Sequence, residues 1–541
     1  MGSRAKASDG KDQGWTPARS VAGKRSPWLI VGVISIATFM VVLDTSIANV
    51  ALAHIAGGLS VSYDEATWVV TSFLVANAII IPISGWLADV IGRKRFYMIS
   101  VAIFTVSSAM CGFAGSLGLL VMARILQGIG GGGLTPVEQS MLVDTFPPAK
   151  RGLAFAAYGV VVITAPIFGP TIGGWITDNW SWHWVFLINV PVGILSLVLT
   201  WFMVDEPPAL VEQRKKMLQG GLRVDYMGFA FMALFLGCLE VTLDRGERDN
   251  WFDSGFITAT AIITVISFLL FVPWEWNRKD PIVRIRMFGQ RNFAVAGVMM
   301  LALGIIVFGS TQFIPQLLQE VLGYTATNAG LALTAGGIAT LFVMPVSGLL
   351  SSRVDPRILI GGAFFVQGVA LWNMSHLNTL MSFHDAAIAR MIQSVGLPFL
   401  FVPITNVAYV GLKPEESNQA SALLNMARNL GGTFGISTVQ TMLLRREQFH
   451  QTRYVETLNP LNPNYQKSVG QIIHALMVQG QSKVEATQQA AAIVYRQLGQ
   501  QAAMLSYVDT FHVLMVAIFC AVPLVFLLQK PKKSAGAGGV P

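Results

Sequence analysis

Fourteen runs of about twenty mostly apolar residues, with centres near 40, 77, 105, 131, 163, 193, 234, 264, 304, 338, 365, 397, 430 and 519, constrain this 541-residue chain more than any other feature. Each run can cross the roughly 30 Å hydrocarbon layer of a bilayer as a helix, the one form in which an isolated segment satisfies its own backbone hydrogen bonds in lipid. Short alternating strands of the kind that build an outer-membrane barrel do not occur. The fold class is therefore an all-α polytopic membrane protein with 14 transmembrane helices. Composition agrees, with 53% hydrophobic and only 12% charged residues and a mean hydropathy of +0.56, far from a soluble domain. Cys111, Cys238 and Cys520 all lie inside apolar runs, and an odd number so placed offers no disulfide framework.

The basic residues report topology rather than a nucleic-acid partner, since the formal charge of +8 is spread in short clusters between the runs. With the N-terminus inside, 26 of the 37 Lys and Arg fall in cytoplasmic segments, among them Arg93–Arg95 and Lys150–Arg151. That is the bias of the positive-inside rule, which exempts a long loop such as 446–506. An even number of spans then puts both termini in the cytoplasm. The polar start reads as a cytoplasmic tail, not a cleavable signal peptide.

Two short patterns recur in register. Pro82, Ser84, Gly85 and Leu87 of IPISGWL return as Pro345, Ser347, Gly348 and Leu350 of MPVSGLL, and Arg124, Gln127 and Gly130 return as Arg390, Gln393 and Gly396. Both map a span onto one eight spans later with the same orientation. Two six-helix halves and a two-helix insertion follow, the arrangement of secondary transporters with a cavity between repeats. The expected organisation is a tail at 1–27, an N-terminal bundle at 28–205, and a segment at 206–291 holding a cytoplasmic loop, inserted helices 7 and 8 and an amphipathic linker. A C-terminal bundle at 292–530 with a periplasmic loop at 446–506, and a tail at 531–541, complete it.

Ionisable residues inside apolar runs are the first functional candidates, because a lone charge in hydrocarbon costs roughly 2.5–3.5 kcal/mol on insertion scales. Asp44 lies in span 1 and Arg124 in span 4. Arg124, Gly128, Gly131, Thr135 and Glu138 recur at steps of three or four, on one helical face. Arg124 and Glu138 stand about 21 Å apart along that helix, too far to pair. Asp44 is the carboxylate partner expected for Arg124. Two roles stay open for the pair: proton exchange in a cavity, or a fixed bridge between spans. Glu138 reads either as part of the pathway or as an interfacial residue snorkelling to water. Arg428 falls near the middle of span 13 and Arg390 near the outer end of span 12, so Arg428 is the better cavity candidate. Glu240 and Asp244, an i, i+4 pair on inserted span 7, are expected to snorkel to the interface.

Four motifs in order then resemble the major facilitator superfamily. GWLADVIGRKR, from Gly85 to Arg95, is similar to its loop 2–3 motif, with Gly85, Asp89, Gly92, Arg93 and Arg95 at the gating positions. LDTSIANVAL, from Leu43, resembles the first-span motif of the fourteen-span drug:proton antiporter family, RILQGIGGG the fourth-span motif, and APIFGPTIGG the fifth-span exporter motif. In the last, Pro166, Gly169, Pro170, Gly173 and Gly174 occupy the gating interface that the resemblance implies. Within that family the chain resembles the EmrB-like branch, although the pattern of that branch lacks an acid where Glu138 stands. This resemblance implies two six-helix bundles plus two inserted helices, and proton-driven multidrug efflux across a bacterial inner membrane. Its other expected partners are membrane lipid, hydrophobic small molecules, a periplasmic adaptor of the EmrA type and an outer-membrane channel of the TolC type. A specific exporter of a metabolite or fatty acid, and a non-transporting receptor, are the alternatives.

No phosphate-cradling G-x-x-x-x-G-K-[ST] loop, metal-spaced His/Cys cluster or nucleophile elbow is present in the sequence. An enzyme, a cofactor and a metal site are accordingly not expected, and protons are the expected source of drive.

Overall fold

The computed structural model describes residues 21, 25–219, 224–278, 280–379, 381–458 and 462–529. The tail at 531–541 and most of that at 1–27 lie outside the described residues. Among those described, twelve helices are long and apolar enough to cross a membrane. They are α1 (Pro27–Leu59), α2 (Tyr63–Ile91), α3 (Arg93–Gly112), α4 (Leu117–Thr145), α6 (Trp184–Met203), α7 (Tyr226–Arg245), α8 (Gly255–Asn277), α9 (Arg291–Val321), α10 (Asn328–Leu350), α11 (Pro356–Met374), α12 (Phe383–Ala408) and α14 (Lys483–Leu527). A thirteenth, α5 (Pro148–Asn179), bends by 42° between Pro148–Pro166 and Thr171–Asn179.

The run centred near 430 lies in α13 (Ser417–Thr457), 41 residues long. Length and composition together thus yield twelve or thirteen spans against the fourteen expected. The difference has a physical cause. Ser417, Asn418, Gln419 and Asn425 on α13 are buried, and the helix packs on α2, α4, α9 and α14. A helix that faces other helices can carry polar residues that a lipid-facing one cannot.

Packing in the first half is repeated in the second. α1 packs on α5 as α9 does on α13, α4 wedges between α2 and α3 as α12 does between α10 and α11, and α3 meets α6 as α11 meets α14. The halves touch along two seams related by the same exchange, α5 with α10 and α2 with α13. The inserted helices α7 and α8 pack chiefly on each other, and α7 leans on α2 and α13 across one seam. The outer face of α8, with Ile262, Val265, Ile266 and Leu269 exposed, suits lipid.

Glycines set the depth of the α4 wedge. A Cβ on Gly128 would meet Phe73 O of α2 at 2.5 Å, one on Gly132 would meet Asn77 O at 2.8 Å, and one on Gly130 would meet Phe104 N of α3 at 2.6 Å. Such contacts need glycine, and they bring three backbones together. Arg124, four residues before Gly128, is thereby carried against α2.

The segment expected as a loop at 446–506 is largely helical. α13 continues outward to Thr457, α14 begins at Lys483 behind a Ser482–Glu485 capping box, and a helix at Pro463–Val478 packs on α14. Strong helix formers such as the Ala, Gln and Leu of ATQQAAAIVYRQLGQQAAML account for this helicity.

Candidate functional site

Five buried polar side chains from four helices converge where α4 is pressed against α2. Asp44, Arg124, Gln127 and Ser108 are 0% exposed and Asn189 is 2% exposed. Arg124 Nη1 donates to Asp44 Oδ2 at 2.6 Å and to Gln127 Oε1 at 2.7 Å, and its Nε donates to Val69 O at 2.9 Å. The guanidinium also lies over the Phe73 ring, 4.2 Å from its centroid. Asp44 Oδ1 accepts from Gln127 Nε2 at 3.0 Å and from Asn189 Nδ2 at 2.6 Å. Both amides donate in turn to Ser108 Oγ, at 2.9 and 3.0 Å, and that hydroxyl donates to Phe186 O.

The Asp44 carboxylate is thus held by a guanidinium and two amides, charge-assisted hydrogen bonds that stand in for water in apolar surroundings. Arg124 Nη2 alone has no hydrogen-bond partner among the described residues. The expected pairing of Asp44 with Arg124 is thus present in this geometry. Gln127, Asn189 and Ser108 were not singled out from sequence. Gln127 carried a signal, since it recurs with Arg124 in the internal repeat, but Asn189 and Ser108 sit in runs where a small polar residue draws no notice.

Glu138, also 0% exposed, lies farther along α4 in a second centre. Thr38 of α1 donates to Glu138 Oε2 and shares a 3.0 Å hydrogen bond with Tyr158 OH of α5. Glu138 Oε1 has no partner among the described residues. Of the two readings left open, snorkelling is excluded, because three helices enclose the side chain. Arg428 of α13 lies close enough for its charge to act on Tyr158, so this centre faces the other half. Asn425, one turn away, donates to Gln139 at 2.7 Å across the seam. Arg390 is elsewhere, donating to Gln393 Oε1 at 2.5 Å in the place that Arg124 and Gln127 occupy in the first half.

At the Ile91 end of α2 a clasp joins the halves: Asn418 near the start of α13 donates to Asp89 Oδ1, and Arg93 ion-pairs with Asp144 at the end of α4 and donates to Ser417 Oγ at 3.0 Å. Gly92 makes this turn with φ +99°, a conformation that favours glycine. Gly85 lies against α13, where a Cβ would meet Asn418 O at 2.9 Å. Arg95, by contrast, is exposed and outside the clasp. The hydrogen-bond partner of Asp89 thus belongs to the first turn of α13. The short helix Pro208–Gln219 covers the turn, with Arg214 Nη1 donating to Ile91 O at 2.9 Å and pairing with Glu206 at 2.6 Å. A cavity of about 180 Å³ remains there, lined by Asp89, Arg93, Glu206, Arg214, Arg284 and Asn418 among others.

The fifth-span motif packs on α1. Gly169 abuts Ser46, a Cβ on Gly173 would meet Ile47 Cγ2 at 3.0 Å, and one on Gly174 would meet nothing within 4 Å. Ser46 Oγ donates to Pro166 O at 3.0 Å. The motif face is therefore Pro166, Gly169 and Gly173 against the turn of α1 that follows Asp44, and Gly174 lies off that face because it is rotated one position around the helix. The side chain of Pro170 lies outside the described residues.

Residues 34–436 match the Major Facilitator Superfamily. The chain belongs to that family. It is similar to the "Multidrug export protein EmrB" of Escherichia coli (strain K12), 37% identical over 507 residues that cover 94% of this chain and 96% of that protein. Likeness to the "Fatty acid resistance protein FarB" of Neisseria gonorrhoeae is 34% identity over 95% of this chain and 98% of that protein. Among solved structures, the proton:xylose symporter XylE superposes with a TM-score of 0.57 at 14% identity, covering 93% of this chain and 99% of that one. The human organic anion transporter MFSD10 (TETRAN) does so with 0.55 at 12% identity, covering 94% and 100%. These structural likenesses establish the major facilitator fold, and the chain is a multi-pass membrane protein of that superfamily.

Proposed function

We propose that this protein is a proton-driven exporter of hydrophobic and amphipathic compounds, working by alternating access in a bacterial inner membrane with both termini in the cytoplasm. The observation that carries the reading is the Asp44–Arg124 ion pair, fully buried yet completed by neutral amide donors from α4 and α6. Protonation of Asp44 would cancel the charge that holds Arg124, leaving a cation to be satisfied by water or substrate once the halves rock. Deprotonation would reset the pair. Two protonation states thus favour two arrangements, which is what coupling requires. Glu138 and Arg428 stand in this scheme on the substrate path nearer the cytoplasmic seam, and the Asp89–Asn418 and Arg93–Asp144 contacts act as its gate.

The likeness to EmrB supports a wide range of drug substrates, and that to FarB supports fatty acids as a second class. The outward extensions of α13 and α14 with the Pro463–Val478 helix form the proposed docking element for a periplasmic adaptor of the EmrA type, leading to a channel of the TolC type. Dye efflux in everted vesicles, energised by a pH gradient, tests the core of the reading. Loss of efflux in Asp44→Asn and Arg124→Ala is expected, and unaltered efflux in both would overturn it. Replacing residues 458–482 with a short linker is expected to abolish adaptor pull-down while vesicle efflux persists; retained pull-down refutes the docking role.

A further inference from the structure

Two carboxylates of inserted helix α7 point away from lipid, contrary to the snorkelling expected of them. Glu240 is 4% exposed and accepts from Thr433 Oγ1 of α13, at 3.2 Å to Oε1 and 3.0 Å to Oε2. Asp244, one turn nearer the end of α7 opposite the clasp, is half-buried and accepts from Thr71 of α2. Glu240 thus sits where α7 leans on the seam between the halves.

The surroundings of Glu240 are unusual for an acid. Among the described residues no Lys, Arg or His lies within ion-pair distance of it, and Asp244 is the charged group whose field it feels. On α2 the nearby groups are Thr71 and Thr67; of the carboxylates of that helix, Asp64 and Glu65 lie in its first turn, Glu65 accepting from Ser62, and Asp89 lies at its other end. On α13 the facing group is Thr433, while the field of Arg428 falls on Tyr158. On α8 they are Thr260 and Thr264, with Glu275 at the far end. On α7 itself Arg245 is engaged by Asp249 and Thr67. An ionised carboxylate with one hydroxyl donor and no cation is poorly solvated, whereas a carboxylic acid fits.

We propose that Glu240 is a second proton-binding site of the transporter, loaded through Asp244 from the side opposite the clasp and separate from Asp44–Arg124. Its proton adds to the drive for export and ties the inserted pair to the movement of α13. The coupling rests on the efflux reading above, and the proton binding does not.

The full-length protein in liposomes is treated with dicyclohexylcarbodiimide, which modifies protonated carboxyls in apolar surroundings, and the adducts are mapped by peptide mass. Glu240 is expected to be labelled, increasingly so as pH falls, while exposed Glu212 is spared. In a second arm, Glu240→Gln is expected to lower the steady dye gradient sustained by a one-unit pH gradient about tenfold, one proton's worth. A missing adduct at acid pH in protein that labels elsewhere, or an undiminished gradient in E240Q, would overturn the proposal. The labelling needs no variant and no transport, so failure of wild-type efflux would be recognised as failure of the export reading alone.

Discussion

A double-mutant cycle on Asp44 and Arg124 separates what the pair does for the fold from what it does for transport. Arg124→Gln removes the 2.6 Å ion pair and the 2.9 Å bond to Val69 O, leaving a buried carboxylate with only the Gln127 and Asn189 amides. Breaking a buried pair from one side costs about 3–5 kcal/mol, because the surviving charge is uncompensated. Asp44→Asn is expected to cost less, since Arg124 keeps the Val69 and Gln127 oxygens and the Phe73 ring. In the double variant no charge remains, and the amide oxygen introduced at position 44 can still accept from Gln127 and Asn189. Its loss should therefore fall short of the sum of the single losses by about 0.5–3 kcal/mol, the range measured for groups in contact. Denaturant titration of the purified protein in detergent reads the stabilities, and pH-driven dye efflux reads function. Stability is expected to be partly restored in the double variant and efflux to stay lost. Additive stability losses would refute the argument that the pair is one electrostatic unit, and efflux restored along with stability would show its role to be structural alone.

Four further expectations test neighbouring parts of the structure. Asn189→Leu removes the 2.6 Å donor to Asp44 and should lower stability by about 1.5–3 kcal/mol, as for a hydrogen bond to a charged group; an unchanged unfolding midpoint counts against the network. Glu138→Gln neutralises an acid whose Oε1 has no partner among the described residues, so this variant should unfold at a higher denaturant concentration than wild type, and a lower midpoint would contradict the geometry. Gly85→Leu places a side chain where Asn418 O stands 2.9 Å away and should suppress a disulfide engineered between the first turn of α13 and the end of α2, because the seam between these helices can no longer close. Arg95→Ala, on an exposed side chain, should shift stability by no more than about 0.5 kcal/mol in either direction.

The period of the apolar runs was sufficient for the all-α membrane class, because it depends on local free energies. An apolar run must become a helix in lipid whatever surrounds it, and two copies of one pattern imply two copies of one packing. The Asp44–Arg124 pair was legible for a related reason: a charge in a run that long needs a partner, and few are available. What tertiary structure alone decided is which faces meet. Glu138 and Glu240 read equally well as snorkelling acids until Thr38 and Thr433, distant in sequence, are found bonded to them. Asn189 donates to Asp44 and Ser108 accepts from both amides without any sequence pattern of their own, and Gly174 leaves the motif face by its rotation on α5. The polar α13 passes through the bundle although its composition lies below that of a span, because burial against other helices replaces the partition into lipid that hydropathy measures.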